Sequence, residues 1–173
     1  MGFSVSASAA IIFISFLIAA GTIYTAWSNS YANVQAARED WYALRLSQLN
    51  TLFSLNAGLS RFSNTTTYYN VTFAIRNNGV TLYAPHWSAV YDGSYVTLYN
   101  VSDDNVGFLR DYTYVLPGSS VLINVTRIPL NSEVHNLTVV FGNGCWVRLT
   151  WYYSSATKGV VANVSRGCPV GVS

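Results

Sequence analysis

The chain has 173 residues, enough for one apolar segment followed by one domain of ordinary size. Charged residues make up only 9% of the sequence, whereas hydrophobic residues make up 51% and aromatic residues 15%. A formal net charge of +2 provides no electrostatic basis for binding nucleic acid, so that class of protein is excluded. With so few charges, Ser, Thr, Asn and Tyr must cover the surface, which favours a secreted or filamentous protein over a cytosolic one.

The first stretch, residues 2–27, contains no charged side chain. A helix over residues 8–27 is long enough to cross a hydrocarbon core of roughly 30 Å. The stretch has no basic n-region and runs past the length of a signal-peptide core, so cleavage after Ala20 is not expected. Residues 1–6 match the loose N-myristoylation pattern, but myristoylation is not expected because a spanning segment follows directly. We interpret the stretch as a transmembrane or filament-core helix.

Apolar residues continue beyond this stretch at roughly helical spacing, which indicates that the helix leaves the membrane without a break. These residues are Val34, Ala37, Trp41, Leu44, Leu49, Leu52 and Leu55. The pattern predicts one rod over about residues 4–52, ended by Asn56-Ala57-Gly58 and followed by a polar linker. The predicted division is a helix over 1–57, a linker over 58–67 and a β-domain over 68–173.

The β-domain consists of short alternating runs rich in Val, Thr, Tyr and Phe, separated by turn dipeptides. Asn78-Gly79 and Asp92-Gly93 are the strongest hairpin signals, because both central positions of a type I′ turn need positive φ. Pro117-Gly118 and residues 142–144 supply further turns. The large apolar residues of 71–75 share one face. We expect about eight strands and an α+β fold, in which a long pilin-like helix precedes an antiparallel immunoglobulin-like β-sandwich.

The two cysteines, Cys145 and Cys168, are too few for a zinc framework and have no CxxC spacing. They either form one disulfide or remain two buried thiols. A disulfide would close a loop of about 23 residues and would stabilise the fold by about 3 kcal/mol. We predict the disulfide, which ties the carboxyl-terminal segment to the domain.

Six Asn-x-Ser/Thr sequons are present, and none has proline in the middle position. Their asparagines are Asn64, Asn70, Asn100, Asn124, Asn136 and Asn163. In three of them the two-residue strand period places Asn and Thr on one face and an aliphatic residue on the other. The aliphatic face belongs to the core, so these asparagines should point outward. We predict glycosylation; the alternative is that they are ordinary polar residues of an outer strand face.

No motif for catalysis is present, so we do not expect an enzyme, and no cofactor is expected. His86 and His135 are far apart and have no Cys, Asp or Glu at ligand spacing, which indicates surface or hydrogen-bonded core histidines. Asp103-Asp104-Asn105 carries oxygen ligands that calcium prefers, but its spacing is typical of a turn.

An aromatic strand follows Cys145, and its members alternate between the two faces of the sheet. Val147, Leu149 and Trp151 should fill the core, while Trp146 and Tyr152 should face outward. An exposed aromatic face suits a protein or glycan partner, so Trp146 and Tyr152 are candidate partner-binding residues. The alternative is that this face is covered by a second sheet or subunit.

Residues 1–40, MGFSVSASAAIIFISFLIAAGTIYTAWSNSYANVQAARED, resemble the archaellum accessory protein F family (ArlF, formerly FlaF), within the archaeal type IV pilin-like superfamily. Its members open with a similar Met-Gly-Phe-Ser segment, a pilin-like helix and an Ala-Arg-Glu-Asp-like exit. The resemblance continues through residues 76–79, 92–96 and 116–118, which are similar to the turns of that family. It covers nearly the whole chain, and the order of these turns after the N-terminal segment makes it specific.

The resemblance implies a single-pass protein of the archaeal cell membrane, whose C-terminal sandwich lies in the pseudo-periplasm or outside the cell. It implies a surface-layer protein and the related archaellum accessory protein G as partners, a homo-oligomeric assembly, and membrane attachment through the N-terminal helix. Members are thought to form part of the stator of the archaellum motor together with accessory protein G. The expected function is therefore a stator element whose sandwich binds the surface layer.

The alternative is a structural filament subunit, an archaellin or archaeal type IV pilin, which shares the plan of one helix and one sandwich. Pilin precursors carry a short basic leader before glycine, whereas this sequence begins with Met1-Gly2. We therefore expect a retained anchor. A surface enzyme or glycan-binding module is disfavoured, because the sequence contains no motif for such a site.

Overall fold

A computed structural model of the chain describes residues 2–57, 60–99 and 105–169. The chain divides into two compact units, Met1–Arg45 and Leu46–Ser173. The first consists of a helix and the second is built from antiparallel sheets.

The first unit belongs to a helix, α1, that extends from Gly2 to Leu49. Its sequence contains no proline, which would interrupt the helix. Ser15, Thr22 and Thr25 each donate to a backbone carbonyl three or four residues earlier, at 2.8–3.0 Å. These hydrogen bonds leave no hydroxyl donor of the three unpaired in an apolar environment.

The apolar side chains of α1 are exposed all around the helix, from Ile11 at 66% to Trp27 at 68%. Ala7–Leu49 is long and apolar enough to cross a membrane, with a mean hydropathy of 2.1 in its most apolar window. The predicted helix is confirmed, but it ends at Leu49 rather than near Leu52. Phe53–Leu55 instead forms strand β1, because it pairs with residues 75–77 of another strand.

The second unit contains three antiparallel sheets. The described residues form strands β1 (Phe53–Leu55), β2 (Arg61–Asn64), β3 (Tyr68–Asn77), β4 (Leu82–Tyr83), β5 (Ser88–Tyr91), β6 (Ser94–Val96), β7 (Val106–Phe108), β8 (Tyr114–Val115), β9 (Ser120–Pro129), β10 (His135–Val140), β11 (Trp146–Ser154) and β12 (Gly159–Gly167). A short 3-10 turn, Ala84–His86, follows β4. The first sheet has the order β1-β3-β9-β7, with β2 also paired to β3. The second has the order β12-β11-β10-β5-β6, and β4 pairs with β8 in a third, small sheet.

The core lies between the first and second sheets, which confirms the α+β class and the sandwich architecture. The alternation predicted for residues 71–75 is confirmed, since Val71, Phe73 and Ile75 are 4%, 2% and 1% exposed. Across the core the rings of Phe73 and Trp151 lie 4.8 Å apart. The strands outnumber the expected eight because several, such as β4 and β8, have only two or three residues. Runs of that length carry no readable period.

Two of the predicted turns have the expected backbone. Asp92 and Gly93, with φ of 45° and 86°, join β5 to β6 as a type I′ turn requires. Gly118, with φ of 81°, follows Pro117 and leads into β9. The 142–144 segment joins β10 to β11, and Gly144 has φ of 81°.

The prediction of a hairpin at Asn78-Gly79 is wrong. Neither residue is among the described residues with positive φ, and β3 does not pair with the strand that follows, β4. Gly79 is needed for another reason, since a Cβ on it would overlap the carbonyl oxygen of Asn50 and lie 2.7 Å from the nitrogen of Leu52. This close approach lets Val80 donate from its backbone nitrogen to Asn50 at 3.1 Å.

The boundaries within the chain also differ from the predicted helix over 1–57 and linker over 58–67. The second compact unit begins at Leu46, and β2 lies inside the segment predicted to be a linker. β2 pairs with β3 because Phe62 turns inward, where its ring lies 5.8 Å from Tyr69 and 6.0 Å from Tyr153. One apolar residue among polar ones is too weak a signal to predict a strand.

Candidate functional site

The predicted alternation along β11 is present in the structure. Val147, Leu149 and Trp151 are at most 1% exposed, while Tyr152 faces outward at 40% exposure. Trp146 is half-buried, because its ring covers Gly167, where an added Cβ would come within 2.8 Å of it.

Trp146 and Tyr152 are not brought together. Both lie on the outer face of β11, but their six-residue separation places them about 20 Å apart along the strand. The guanidinium of Arg148 lies between them in sequence and 5.5 Å from the Trp146 ring. A single partner would have to cover the length of the strand to contact both, and the partner-binding role of the pair stays a prediction.

An exposed aromatic cluster that the sequence patterns do not indicate lies on the small β4–β8 sheet. The ring of Tyr83 lies 5.3 Å from that of Tyr114 and 4.8 Å from that of His86. Tyr83 and Tyr114 are 41% and 63% exposed. The pairing of β4 with β8 joins residues about thirty positions apart, which no local period could have indicated.

The described sequon asparagines lie on the outer faces or edges of the two main sheets. Asn64, Asn136 and Asn163 are exposed, whereas Asn70 and Asn124 are half-buried. Their amide oxygens accept hydrogen bonds in four cases: Asn70 from the backbone nitrogen of Arg127, Asn124 from the hydroxyl of Thr72, Asn136 from the hydroxyl of Thr150 and Asn163 from the backbone nitrogen of Val164. Asn100 lies outside the described residues. Glycosylation at all six positions stays a prediction.

In the structure, Cys145 and Cys168 are joined by a disulfide. It lies beside the last turn of α1, where Sγ of Cys168 is 3.6 Å from the carbonyl oxygen of Gln48. Asn143, two residues before Cys145, donates through Nδ2 to the hydroxyls of Ser47 at 3.0 Å and Thr51 at 2.7 Å. The disulfide and Asn143 therefore fasten the β10–β11 connection to residues 47–51, within the second unit.

The two histidines have different surroundings. His86 is exposed, whereas His135 is 7% exposed and its Nδ1 lies 2.7 Å from Oδ2 of Asp92. Oδ1 of Asp92 accepts from the backbone nitrogen of Asn136 at 2.7 Å. The pair therefore holds the β5–β6 turn against β10. Among the described residues, no group of three His, Cys, Asp or Glu side chains could hold a metal ion, and Asp103 and Asp104 lie outside them.

Tyr91 lies next to this pair, with its hydroxyl 3.3 Å from Nδ1 of His135. Burial raises the pKa of Tyr91 well above its ordinary value of 10.0, and the charge of Asp92 raises that pKa further. Burial also raises the pKa of Tyr69, across the core. Both tyrosines thus favour the protonated form in the folded chain.

The free energy of unfolding of the second unit is therefore expected to fall as the pH rises above about 10. At such a pH these tyrosines keep their protons in the folded state and lose them in the unfolded state. Tyr91→Phe should remove part of this fall, because the variant has no hydroxyl to ionise there. Urea unfolding at pH 8, 10 and 11 measures the difference. Tyr95→Phe, which removes a tyrosine that is 70% exposed, is the control. If the stability of Tyr91→Phe depended on pH as that of the native chain does, the raised pKa of Tyr91 would not be the cause of the fall.

Comparison with known proteins matches the chain to one family and finds similarity to solved structures. The model of the archaeal-type flagellin family matches residues 2–151. The archaellum periplasmic stator protein FlaG from Sulfolobus acidocaldarius is 18% identical, with a TM-score of 0.40, over 66% of this chain and 99% of FlaG. The FlaF–FlaG stator complex of the same organism is 18% identical, with a TM-score of 0.39, over 66% of this chain and 89% of the matched chain. No curated protein matches the chain.

Proposed function

This chain belongs to the archaeal-type flagellin family, and from that premise we propose that it is a membrane-anchored stator element of the archaellum. In this proposal α1 holds the protein in the cell membrane, and the β-sandwich lies on the outer side, where it binds the surface-layer protein. The role is structural rather than catalytic. A stationary element must resist torque, so it needs both a fixed attachment and a grip on an immobile partner.

The surface of α1 is the observation that carries the proposal. Its side chains from residue 7 to residue 27 are exposed and include no charge. The hydroxyls of Ser15, Thr22 and Thr25 are satisfied within the helix. Lipid requires these properties on every side of a helix, because it offers no hydrogen-bond partner to a stray donor.

Three features of the second unit support a location outside the cell. Its disulfide, between Cys145 and Cys168, is of a kind that persists in oxidising surroundings. Its outer strand faces carry sequons, which are acceptors only in exported proteins. Its surface is polar but poor in charge. We propose the surface-layer protein and archaellum accessory protein G as partners, together with self-association of the chain.

A structural filament subunit is the second candidate function. The family match favours it, because the matched family is that of archaeal-type flagellins. The uncharged surface of α1 also suits the core of a helix bundle, where neighbouring helices replace lipid. The two functions differ in what covers α1.

Co-sedimentation tests the stator proposal. The full chain in dodecyl maltoside micelles should pellet with sheets of surface-layer protein at the ionic strength and pH of the organism. Chain that remains in the supernatant would count against the proposal. Electron microscopy after detergent removal tests the second candidate, because long ordered filaments would support the filament subunit and displace the stator element.

A further inference from the structure

An open groove of about 620 Å³ lies on the outer face of the first sheet. Arg76 on β3 and Ser120 on β9 pair across the sheet and line it together with Leu122 and Arg110. Arg110 follows β7, and the turn at Gly118 closes one end. Asn56 and Ser119 also line the groove, and the hydroxyl of Ser119 donates to the carbonyl oxygen of Leu116. The groove walls thus carry two cations, two hydroxyls, an amide and an apolar side chain.

Within the described part of the chain, the two guanidinium groups have no acidic partner. Among the described residues, no carboxylate lies within 4.0 Å of an arginine or lysine nitrogen of this unit, and the one salt bridge joins His135 to Asp92. The hydroxyl of Ser120 also makes no side-chain hydrogen bond to another described residue. These three donors are therefore available to a ligand.

Arg110 is held in place without being neutralised. Its guanidinium lies 5.1 Å from the centre of the Tyr112 ring, and the hydroxyl of Tyr112 accepts from the backbone nitrogen of Leu122 at 2.9 Å. Cation–π contact of this kind leaves the guanidinium hydrogen atoms free to bind. The arginine is thus partly ordered before a partner arrives, which lowers the entropic cost of binding.

Positive charge dominates the face around the groove. The strands of the first sheet carry Arg61, Arg76 and Arg127 but no Asp or Glu. The nearest described acid in sequence, Asp111, is exposed and forms no salt bridge. An acidic partner is therefore attracted to this face, and a basic one is repelled.

We infer that this groove is the contact site for a carboxylate-rich segment of the surface-layer protein. The inference rests on the proposed function and names the chemistry of the surface that the sandwich grips. Each guanidinium binds one carboxylate through two parallel hydrogen bonds, Ser120 donates a further one, and Leu122 packs against the aliphatic part of the bound side chain. The outer face of the first sheet, rather than that of Trp146 and Tyr152, makes the contact.

Binding of fluorescein-labelled decaglutamate tests the site. The full chain in dodecyl maltoside micelles is titrated at 50 mM salt and followed by fluorescence anisotropy. Arg76→Gln/Arg110→Gln should bind about tenfold more weakly or worse, because the variant loses both sets of charge-assisted, paired hydrogen bonds. Arg148→Gln/Lys158→Gln removes the same net charge elsewhere and should bind nearly as tightly as the native chain. Equal weakening in both variants, or no binding by the native chain, would overturn the inference.

Two further arms separate the site from the proposed function. If heparin, but not decaglutamate, binds through the two arginines, the ligand is a sulfated glycan and the inference is overturned. If Arg76→Gln/Arg110→Gln still pellets with surface-layer protein, the inference falls and the stator proposal stands. If the native chain binds decaglutamate through the arginines but does not pellet, the stator proposal falls and the acidic-segment site stands. Arg→Lys variants, which keep the charge but lose the paired hydrogen bonds, replace any glutamine variant whose melting curve is lost.

Discussion

Gly79→Ala is expected to lower the free energy of unfolding of the second unit by about 3 kcal/mol or more. The added methyl group would overlap the carbonyl oxygen of Asn50 and lie 2.7 Å from the nitrogen of Leu52. Both are backbone atoms and cannot rotate away as a side chain would. Relief requires the 77–80 loop to move off residues 50–52, which breaks the hydrogen bonds from Val80 to Asn50 and from Asn78 to Leu52.

Urea unfolding of the full chain in micelles, followed by tryptophan fluorescence, measures this loss. Gly159→Ala is the matched control, since the nearest atom to its added Cβ is 3.8 Å away and its φ is not positive. We expect the control to stay within about 1 kcal/mol of the native chain. A stability for Gly79→Ala equal to that of Gly159→Ala would contradict the close approach.

Removal of the disulfide has the second large expected effect. Cys145→Ala/Cys168→Ala should be less stable by about 3 kcal/mol, which corresponds to a fall in Tm of roughly 10 °C. The bridge spans 23 residues, so without it the unfolded chain gains the freedom of that loop. Because the disulfide and Asn143 both contact residues 47–51, the loss should loosen this segment before the rest of the sandwich.

Dithiothreitol supplies the control for this second prediction. Reduced native protein should unfold at the same urea concentration as the double variant, and the reductant should not change the variant itself. Hydrogen exchange of residues 47–51 should accelerate in both. Alkylation of two thiols in protein purified without reductant would contradict the prediction, because it would show that the bond does not form.

The sequence predicts the parts of the fold that depend on local chemistry. The uncharged run and its helical spacing predict α1, because a helix is specified by near neighbours. Val71, Phe73 and Ile75 alternate over enough residues to fix their strand and its buried face. Asp92-Gly93 predicts its turn because both residues tolerate the positive φ that the turn requires.

The same kind of signal fails where tertiary contacts decide the backbone. Asn78-Gly79 has the sequence of a hairpin turn, but the approach of residues 50–52 determines its conformation. The sequence does not predict β2, because the strand has a single inward apolar residue, Phe62. That residue is enough to pair β2 with β3 but too little to form a pattern. The predicted helix extends too far for the same reason, since residues 53–55 form β1 only through their pairing with β3.

The candidate sites show the same division. The outward direction of Tyr152 follows from strand alternation, but the cover that Trp146 gives to Gly167 does not. Arg76 and Arg110 are far apart in the chain and carry no motif. They line one groove only because β9 lies between β3 and β7, an order that sequence alone does not specify.

The scarcity of carboxylates bears on how the second unit responds to acid. Acid unfolds proteins mainly by protonating carboxylates that the folded state holds in their charged form. The whole chain has 7 Asp and Glu residues, and among the described ones Asp92 alone forms a salt bridge. Within residues 2–57, 60–99 and 105–169, little native structure thus depends on a negative charge. At the proposed location outside the cell no buffered compartment surrounds the domain, and a fold that depends on few carboxylate charges is expected to persist through changes in the acidity of the surrounding medium.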